Sequence, residues 1–208
     1  MKKRLLLFLV IFSFLCSGCA VNDKDDIYKT VSGYLDALHN GDLTAAQSYC
    51  DKSYNDALGI DSFASNLDAK LREIDLGEDF NKDAKQFIID VTKKSIQSYE
   101  IKNYKQDGDS ATVTVDITGI DLADVNMTQA QQNAMQEYSQ YMTDHFAELN
   151  ETLNNEGEEA MKSILVKELS SMLFKNLNTE MDNTKPKDRT VDFYVKKIDG
   201  KWMIATES

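Results

Sequence analysis

The sequence predicts an α+β fold in which N-terminal helices pack on an antiparallel sheet and a long helical hairpin is inserted between two β-hairpins. Three observations carry it. Apolar residues recur at helical spacing from Ile27 to Val91, punctuated by capping residues. The period falls to two at Ala111–Ile117 and again near the C-terminus, each time beside a turn signal. About 70 residues of helical pattern lie between those two stretches. A single proline, Pro186, and nine glycines fit a helix-rich fold better than a turn-rich β sandwich.

The N-terminus comes first. Lys2, Lys3 and Arg4 precede an apolar run of 11 residues, Leu5 to Leu15, which closes on Cys16-Ser17-Gly18-Cys19. A cationic start, a short apolar core and small residues before a break are the parts of a secretory signal, expected here over residues 1–18. The run is too short to span a bilayer, which takes roughly 20 residues. Residues 19–26 are polar and acidic and read as a tether. Residues 27–208 read as a single α+β domain with the helical hairpin at about 128–178.

Removal of residues 1–18 takes three of the 23 Lys and Arg and leaves 20 against 35 Asp and Glu, a formal charge of −15 on 190 residues. That acidity argues against nucleic acid and against a basic patch on an anionic membrane. With Cys16 discarded and Cys19 at the new terminus, only Cys50 remains as an internal thiol, so no disulfide framework is expected.

Asp26 is placed to cap a first helix carrying Ile27, Val31, Tyr34, Leu35 and Leu38. It should end at His39-Asn40-Gly41-Asp42, with Gly41 after the helix and Asp42 capping a short second one that turns Leu43, Ala46, Tyr49 and Cys50 inward. A third helix is expected from Asp61, with Phe63, Leu67, Leu71 and Ile74. A fourth opens at Asn81 and carries Phe80, Ala84, Phe87, Ile88 and Val91.

Ala111, Val113, Val115 and Ile117 alternate with Thr112, Thr114, Asp116 and Thr118, a half-buried strand. Its hairpin partner is Ile96 to Lys105. Pairing Asn103 with Val113 sets Tyr99 and Ile101 beside Ile117 and Val115, whereas a slip of one residue would bring Glu100 and Lys102 there. This register predicts a loop of three or five residues rather than two. In the closing hairpin, Asp199-Gly200 is a two-residue turn signal. It pairs Val195 with Ile204, Lys197 with Trp202 and Phe193 with Thr206, and gathers Val191, Phe193, Val195, Trp202 and Ile204 on the core face. Between the hairpins, Thr128 to Leu153 carries Met135, Tyr138, Met142, His145, Phe146 and Leu149. A second helix carries Met161, Ile164, Leu165, Leu169, Met172, Leu173 and Leu177.

Candidate chemistry is sparse. His39 falls in the last turn of the first helix, where a cation suits the dipole. His145 lies on an apolar stripe, and neither histidine has a Cys or second His at ligand spacing, so no metal is expected. The acidic groups Asp23 to Asp26, Asp107 with Asp109, and Asp121 with Asp124 lack the spacing of a calcium loop and read as solvated turns. No phosphate loop, nucleophile elbow or Cys-His pair occurs, so no catalytic or cofactor-binding residue is assigned. The row Met135, Met142, Met161, Met172 reads as core, though methionine rows also line adaptable apolar grooves.

Two resemblances add to this reading. Ser17-Gly18-Cys19 after the apolar run resembles the lipobox of bacterial lipoproteins, with Cys16 where that motif usually has Leu. The resemblance implies cleavage before Cys19, a diacylglycerol on its sulfur and a further acyl chain such as palmitate on its amino group. The segment Tyr34 to Cys50, the strand around Val113 and the stretch Thr190 to Thr206 are similar to the nuclear transport factor 2-like superfamily. That resemblance implies a curved, cone-like sheet wrapped on helices around an apolar cavity. The helical hairpin from about Thr128 to Leu177 departs from the simple form of that fold. Some members use the cavity as an isomerase or dehydratase site, which would need a buried Asp and a tyrosine such as Tyr34, Tyr99 or Tyr194. Others bind small molecules or proteins.

The expectation is a lipid-anchored lipoprotein on the outer face of the cell membrane, of Gram-positive type. It would be held through Cys19 and act as a non-catalytic binding or interaction module for an envelope protein or small apolar ligand. Two alternatives stay open: an enzyme using the cone cavity, and a structural envelope lipoprotein whose helical hairpin docks a membrane partner.

Overall fold

The structure, a computed structural model, describes residues 23–52, 54, 58–60 and 78–207. The signal segment, Cys19 and the helix expected from Asp61 to Ile74 lie outside the described residues. In chain order the elements are α1 (Lys24–His39), α2 (Leu43–Gln47), α3 (Glu78–Ser95), β1 (Ser98–Asp107), β2 (Ser110–Gly119), a 3-10 turn (Leu122–Asp124), α4 (Met127–Asp144), α5 (Phe146–Glu156), α6 (Glu158–Asn183), β3 (Lys187–Ile198) and β4 (Lys201–Ile204). The strands form one antiparallel sheet in the order β1-β2-β3-β4, so α4, α5 and α6 all fall within the connection from β2 to β3.

All five expected stripe residues of α1 are buried. The helix starts earlier than its stripe suggests: the N-cap is Asp23, and Asp26 sits inside the first turn beside Asp25, where both acids suit the dipole. At the other end the Asp42 N–H bonds the Ala37 carbonyl (2.8 Å) and the Gly41 N–H bonds that of Leu38 (2.9 Å), a Schellman termination. The Asp42 carboxylate then accepts from the Ala45 N–H (2.9 Å) and caps α2. Phe80, Ala84, Phe87 and Val91 of α3 are buried as expected, although α3 begins at Glu78 rather than Asn81.

The first hairpin keeps the expected faces but not the expected loop. Tyr99 pairs with Ile117 and Ile101 with Val115, yet Asn103 meets Thr114 and Tyr104 meets Val113. The register shifts at a bulge between Ile101 and Asn103, where Lys102 is the extra residue. That extra residue restores the parity of a two-residue turn, Gly108-Asp109, with positive φ (58°) at Gly108 alone, as a type II′ turn requires.

In the second hairpin Val195 pairs with Ile204 and Lys197 with Trp202 across Asp199-Gly200, both at positive φ (51° and 80°), the type I′ pattern. The ladder's last bond runs from the Ala205 N–H to the Tyr194 carbonyl (2.9 Å), so the expected pairing of Phe193 with Thr206 is not formed; on its other side Phe193 pairs with Val113 of β2. The outer edge of β4 is closed by the exit of α2. The Asp51 N–H bonds the Ile204 carbonyl (2.7 Å), and the Ile204 N–H bonds the Tyr49 carbonyl (2.9 Å).

Three helices stand where two were expected. His145 interrupts the first at φ −105° and ψ 16°, separating α4 from α5. The side of α4 that packs on α6 is made by Ala130 and Ala134, while Met135, Met142 and Phe146 are exposed. The methionine row is therefore not a core row in α4, because small side chains make the close helix contact. Met161 and Met172 in α6 are half-buried.

Two apolar clusters result. One joins α1 to the sheet: Tyr34 at its centre meets the Phe193 ring edge-on at a centroid distance of 5.8 Å. The other joins α3, the Ile120–Val125 segment and α6 through Phe80, Phe87 and Phe174, whose rings lie 5.3 and 5.5 Å apart.

Candidate functional site

The densest polar arrangement gathers where the N-terminus of α1 meets both hairpin turns. Asp23 precedes the first turn of α1, Gln106 lies one residue before the end of β1, and Lys197 and Trp202 face each other across the β3–β4 pair. The Lys197 Nζ donates to the Asp23 carboxylate at 2.9 Å and lies 5.6 Å from the centroid of the Trp202 ring. Gln106 adds a longer bond to the same carboxylate (3.4 Å). The Lys197 ammonium holds the Asp23 carboxyl below the usual carboxylate range. Burial works against this, and the indole N–H of Trp202 adds a weaker downward pull. Thr30, buried on α1, donates to the Asp26 and Trp202 carbonyls (2.9 and 3.1 Å) and pins β4 to the helix.

Beside this cluster opens a hollow of about 590 Å³ between α1, the end of α2 and the β3–β4 turn. Lys29 and Lys201 supply cations, Asp26 a carboxylate, and Ser48 and Tyr49 hydroxyls. Such a set can bind a polar group by hydrogen bonds and charge. It contains no nucleophile paired with a base.

The three candidate tyrosines do not converge. Tyr34 is fully buried and its hydroxyl meets that of Tyr54 at 3.2 Å. Tyr99 donates to the Asp36 carboxylate at 2.7 Å, at the edge where β1 passes α1. Burial first, then the hydrogen bond to the Asp36 carboxylate and its charge, push the Tyr99 phenol up to about 12. Tyr194 points to the other face of the sheet and donates to Ser110 Oγ (2.8 Å). The carboxylate opposite a tyrosine is thus Asp36, a partner that the sequence pattern did not single out.

The histidines are separately engaged. His39 Nδ1 donates to the Ile96 carbonyl at 2.8 Å, tying the end of α1 to the link between α3 and β1. His145 sits at the α4–α5 break, 2.7 Å from Glu148 and against the Tyr141 ring. Asp121 caps the 3-10 turn through the Ala123 N–H (3.0 Å), and Asp124 pairs with Lys187. Cys50 is half-buried against the α1–sheet cluster. Among the described residues no three His, Cys, Asp or Glu side chains are grouped as metal ligands are, and no helix is long and apolar enough to cross a membrane.

The Asp23–Lys197–Trp202 cluster escaped the sequence reading because Asp23 stood in the stretch read as tether. Its one visible signal was the register that sets Lys197 opposite Trp202. Compared with protein-family models, curated proteins and solved structures, the chain matches none of them.

Proposed function

We propose that the chain is a lipid-anchored, extracytoplasmic lipoprotein that acts as a non-catalytic interaction module at the cell envelope, built on a nuclear transport factor 2-like plan. The observation that carries the anchoring is the run from Lys2 to Cys19: basic start, 11 apolar residues, then Ser17-Gly18-Cys19. Two acyl chains on one residue hold a protein stably, at about 0.8 kcal/mol per buried methylene. Non-catalytic action is supported by how the candidate groups are used. Tyr34 fills a core, His39 ties two elements together, and Tyr99 is bonded to Asp36 near the surface.

Anchoring also sets an orientation. Cys19 stands five positions before Lys24, the first residue of α1, and five residues reach about 17 Å at most. Asp23 contacts Lys197 and Gln106, so the end of the sheet that carries both hairpin turns lies next to the bilayer. The strand ends at Gly119 and Lys187, from which α4–α6 extend, face away from it.

The test is expression of the full chain and of Cys19→Ala in a bacterium that processes lipoproteins. The wild-type chain is expected in the membrane fraction, with an acylated Cys19 peptide by mass spectrometry and cleavage by protease added to cells freed of their wall. Complete membrane partition of Cys19→Ala, or an unmodified Cys19 in the mature chain, would overturn the anchoring.

A further inference from the structure

The side of α4 turned to α6 changes character midway. Ala130 and Ala134 are buried there and let the two helices touch. One and two turns later the same side carries Glu137 and Tyr141, and a groove of about 590 Å³ opens between the helices. Half-buried Asn133, Glu137, Tyr141 and His145 form an inner row at intervals of four. Exposed Gln136, Gln140 and Asp144 form a second row at the same interval. From the facing helix, α6 supplies Asn176, which is only 6 % exposed.

Asn176 is the member that points to a ligand. Its Nδ2 donates to the Met172 carbonyl (2.8 Å), a bond within its own helix, while its Oδ1 accepts nothing from the described residues. A buried amide oxygen without a protein donor destabilises the fold unless the groove supplies one. The Gln136 amide and the Tyr141 hydroxyl likewise close no hydrogen bond among the described residues. The charged members are engaged instead. Glu137 pairs with Lys175 across the two helices (3.2 Å), and Gln140 donates to one Asp144 oxygen (2.7 Å). His145 Nδ1 is taken by Glu148 (2.7 Å), and its ring lies against that of Tyr141 at a centroid distance of 4.4 Å.

We infer that this groove binds a neutral carbohydrate, a short oligosaccharide, through its hydroxyl groups. Donors and acceptors decide the ligand class. A carboxamide presents an N–H donor and a C=O acceptor side by side, and a hydroxyl is itself both, so one amide can hold two adjacent hydroxyls. Three carboxamides, Asn133, Gln136 and Gln140, line the α4 wall, and a fourth, Asn176, lines that of α6. An organic cation would use acceptors alone and leave the amide N–H groups unmatched. An anion would meet Glu137 and Asp144, with Lys175 already paired. The stacked Tyr141 and His145 rings add a flat apolar step, the surface on which the C–H face of a sugar ring rests.

From Asn133 to Asp144 the groove follows α4 for about 16 Å, longer than a single sugar ring. Its volume is that of a small-molecule site, but its walls are polar, so binding is weak and rests on several hydrogen bonds made together. The groove belongs to the connection between β2 and β3, apart from the Asp23 cluster at the hairpin turns. Its chemistry does not depend on acylation of Cys19.

The experiment is isothermal titration calorimetry of the full chain in a zwitterionic detergent without a sugar headgroup. The probes are three neutral trisaccharides: maltotriose, cellotriose and chitotriose. At least one is expected to bind with a dissociation constant of about 1 mM or tighter. Gln136→Ala and Tyr141→Phe should each weaken that binding by about 3- to 10-fold, the loss of one hydrogen bond, and Asn176→Leu should abolish it. Gln132→Ala, on the far side of α4, should leave it unchanged. Unchanged circular dichroism and melting temperature in the Gln136 and Tyr141 variants separate loss of contact from loss of fold, so the result does not hang on the buried Asn176. Binding of none of the three trisaccharides overturns the proposal. Binding that survives both Gln136→Ala and Tyr141→Phe overturns it equally. So does spermidine, a cation without hydroxyls, if it binds as tightly and suffers the same losses.

Discussion

The Tyr99 hydroxyl and the Asp36 carboxylate, 2.7 Å apart, show how one contact between α1 and β1 responds to pH. Ionising the phenol would place a second negative charge beside Asp36 in a half-buried site, which is why its pKa rises to about 12. Because the folded value lies above the unfolded one, near 10, the stabilisation is complete below about pH 10 and is lost as pH rises towards 12. A spectrophotometric titration of the wild-type chain should show late tyrosine ionisation, to which burial also moves Tyr138 and Tyr141, and Tyr99→Phe should remove the part that ionises near pH 12. Asp36→Asn should bring it only part of the way down, since burial is the larger cause. Asp23 runs the other way. Its folded pKa is depressed, so its pairing with Lys197 stabilises the fold at neutral pH and is lost as pH falls through the folded value. Asp23→Asn should therefore melt below wild type at pH 7, with the gap closing under acid conditions. A constant gap at all pH values would show that the carboxylate's charge is not what matters.

Among the elements, the tightest junction is between the end of β2 and the end of α3. A Cβ built on Gly119 would come within 2.0 Å of the Ser95 carbonyl oxygen, a backbone atom that also accepts from Arg189 Nη2 (3.3 Å). Backbone cannot step aside as a side-chain tip can, so Gly119→Ala should cost about 2–3 kcal/mol, read as a lower urea midpoint at unchanged slope. Element-scale facts divide by how they are encoded. The stripe of α1, the Asp42 cap and the Asp199-Gly200 turn were legible, because each depends on residues close together in the chain. The β1 bulge was not: Lys102 and Asn103 are both polar and exposed, so an inserted residue there leaves the alternation of buried faces intact. The packing side of α4 was hidden for a related reason. Met135 and Met142 dominate the apolar pattern, but close approach to α6 is made by Ala130 and Ala134, whose small size is the useful property and carries little hydrophobic signal.

At the scale of the whole molecule, the chain has two ends that the sequence could not relate. Periodicity identified the sheet and the helices between its hairpins, but not that Asp23 would be tied to Lys197, which fixes which end of the sheet follows the tether. The consequence can be measured without an added label, because Trp202 is the one tryptophan of the chain and it belongs to the hairpin-turn end. With Cys19 acylated and the chain reconstituted in vesicles, that end is held within about 17 Å of the headgroups. Trp202 fluorescence should then be reduced by quencher lipids carrying their quenching group at the headgroup. Moving the single tryptophan off that end, by Trp202→Phe combined with Phe146→Trp, should leave the emission largely unquenched, since Phe146 is exposed on α5 within the connection that leaves the sheet at Gly119 and returns at Lys187, the end opposite both hairpin turns. Matching melting temperatures for the two chains would show that the same fold is compared. Equal quenching of the two positions would mean that the chain lies flat on the bilayer or turns freely on its tether, and the orientation drawn from Asp23 would fall while the acylation of Cys19 could still stand.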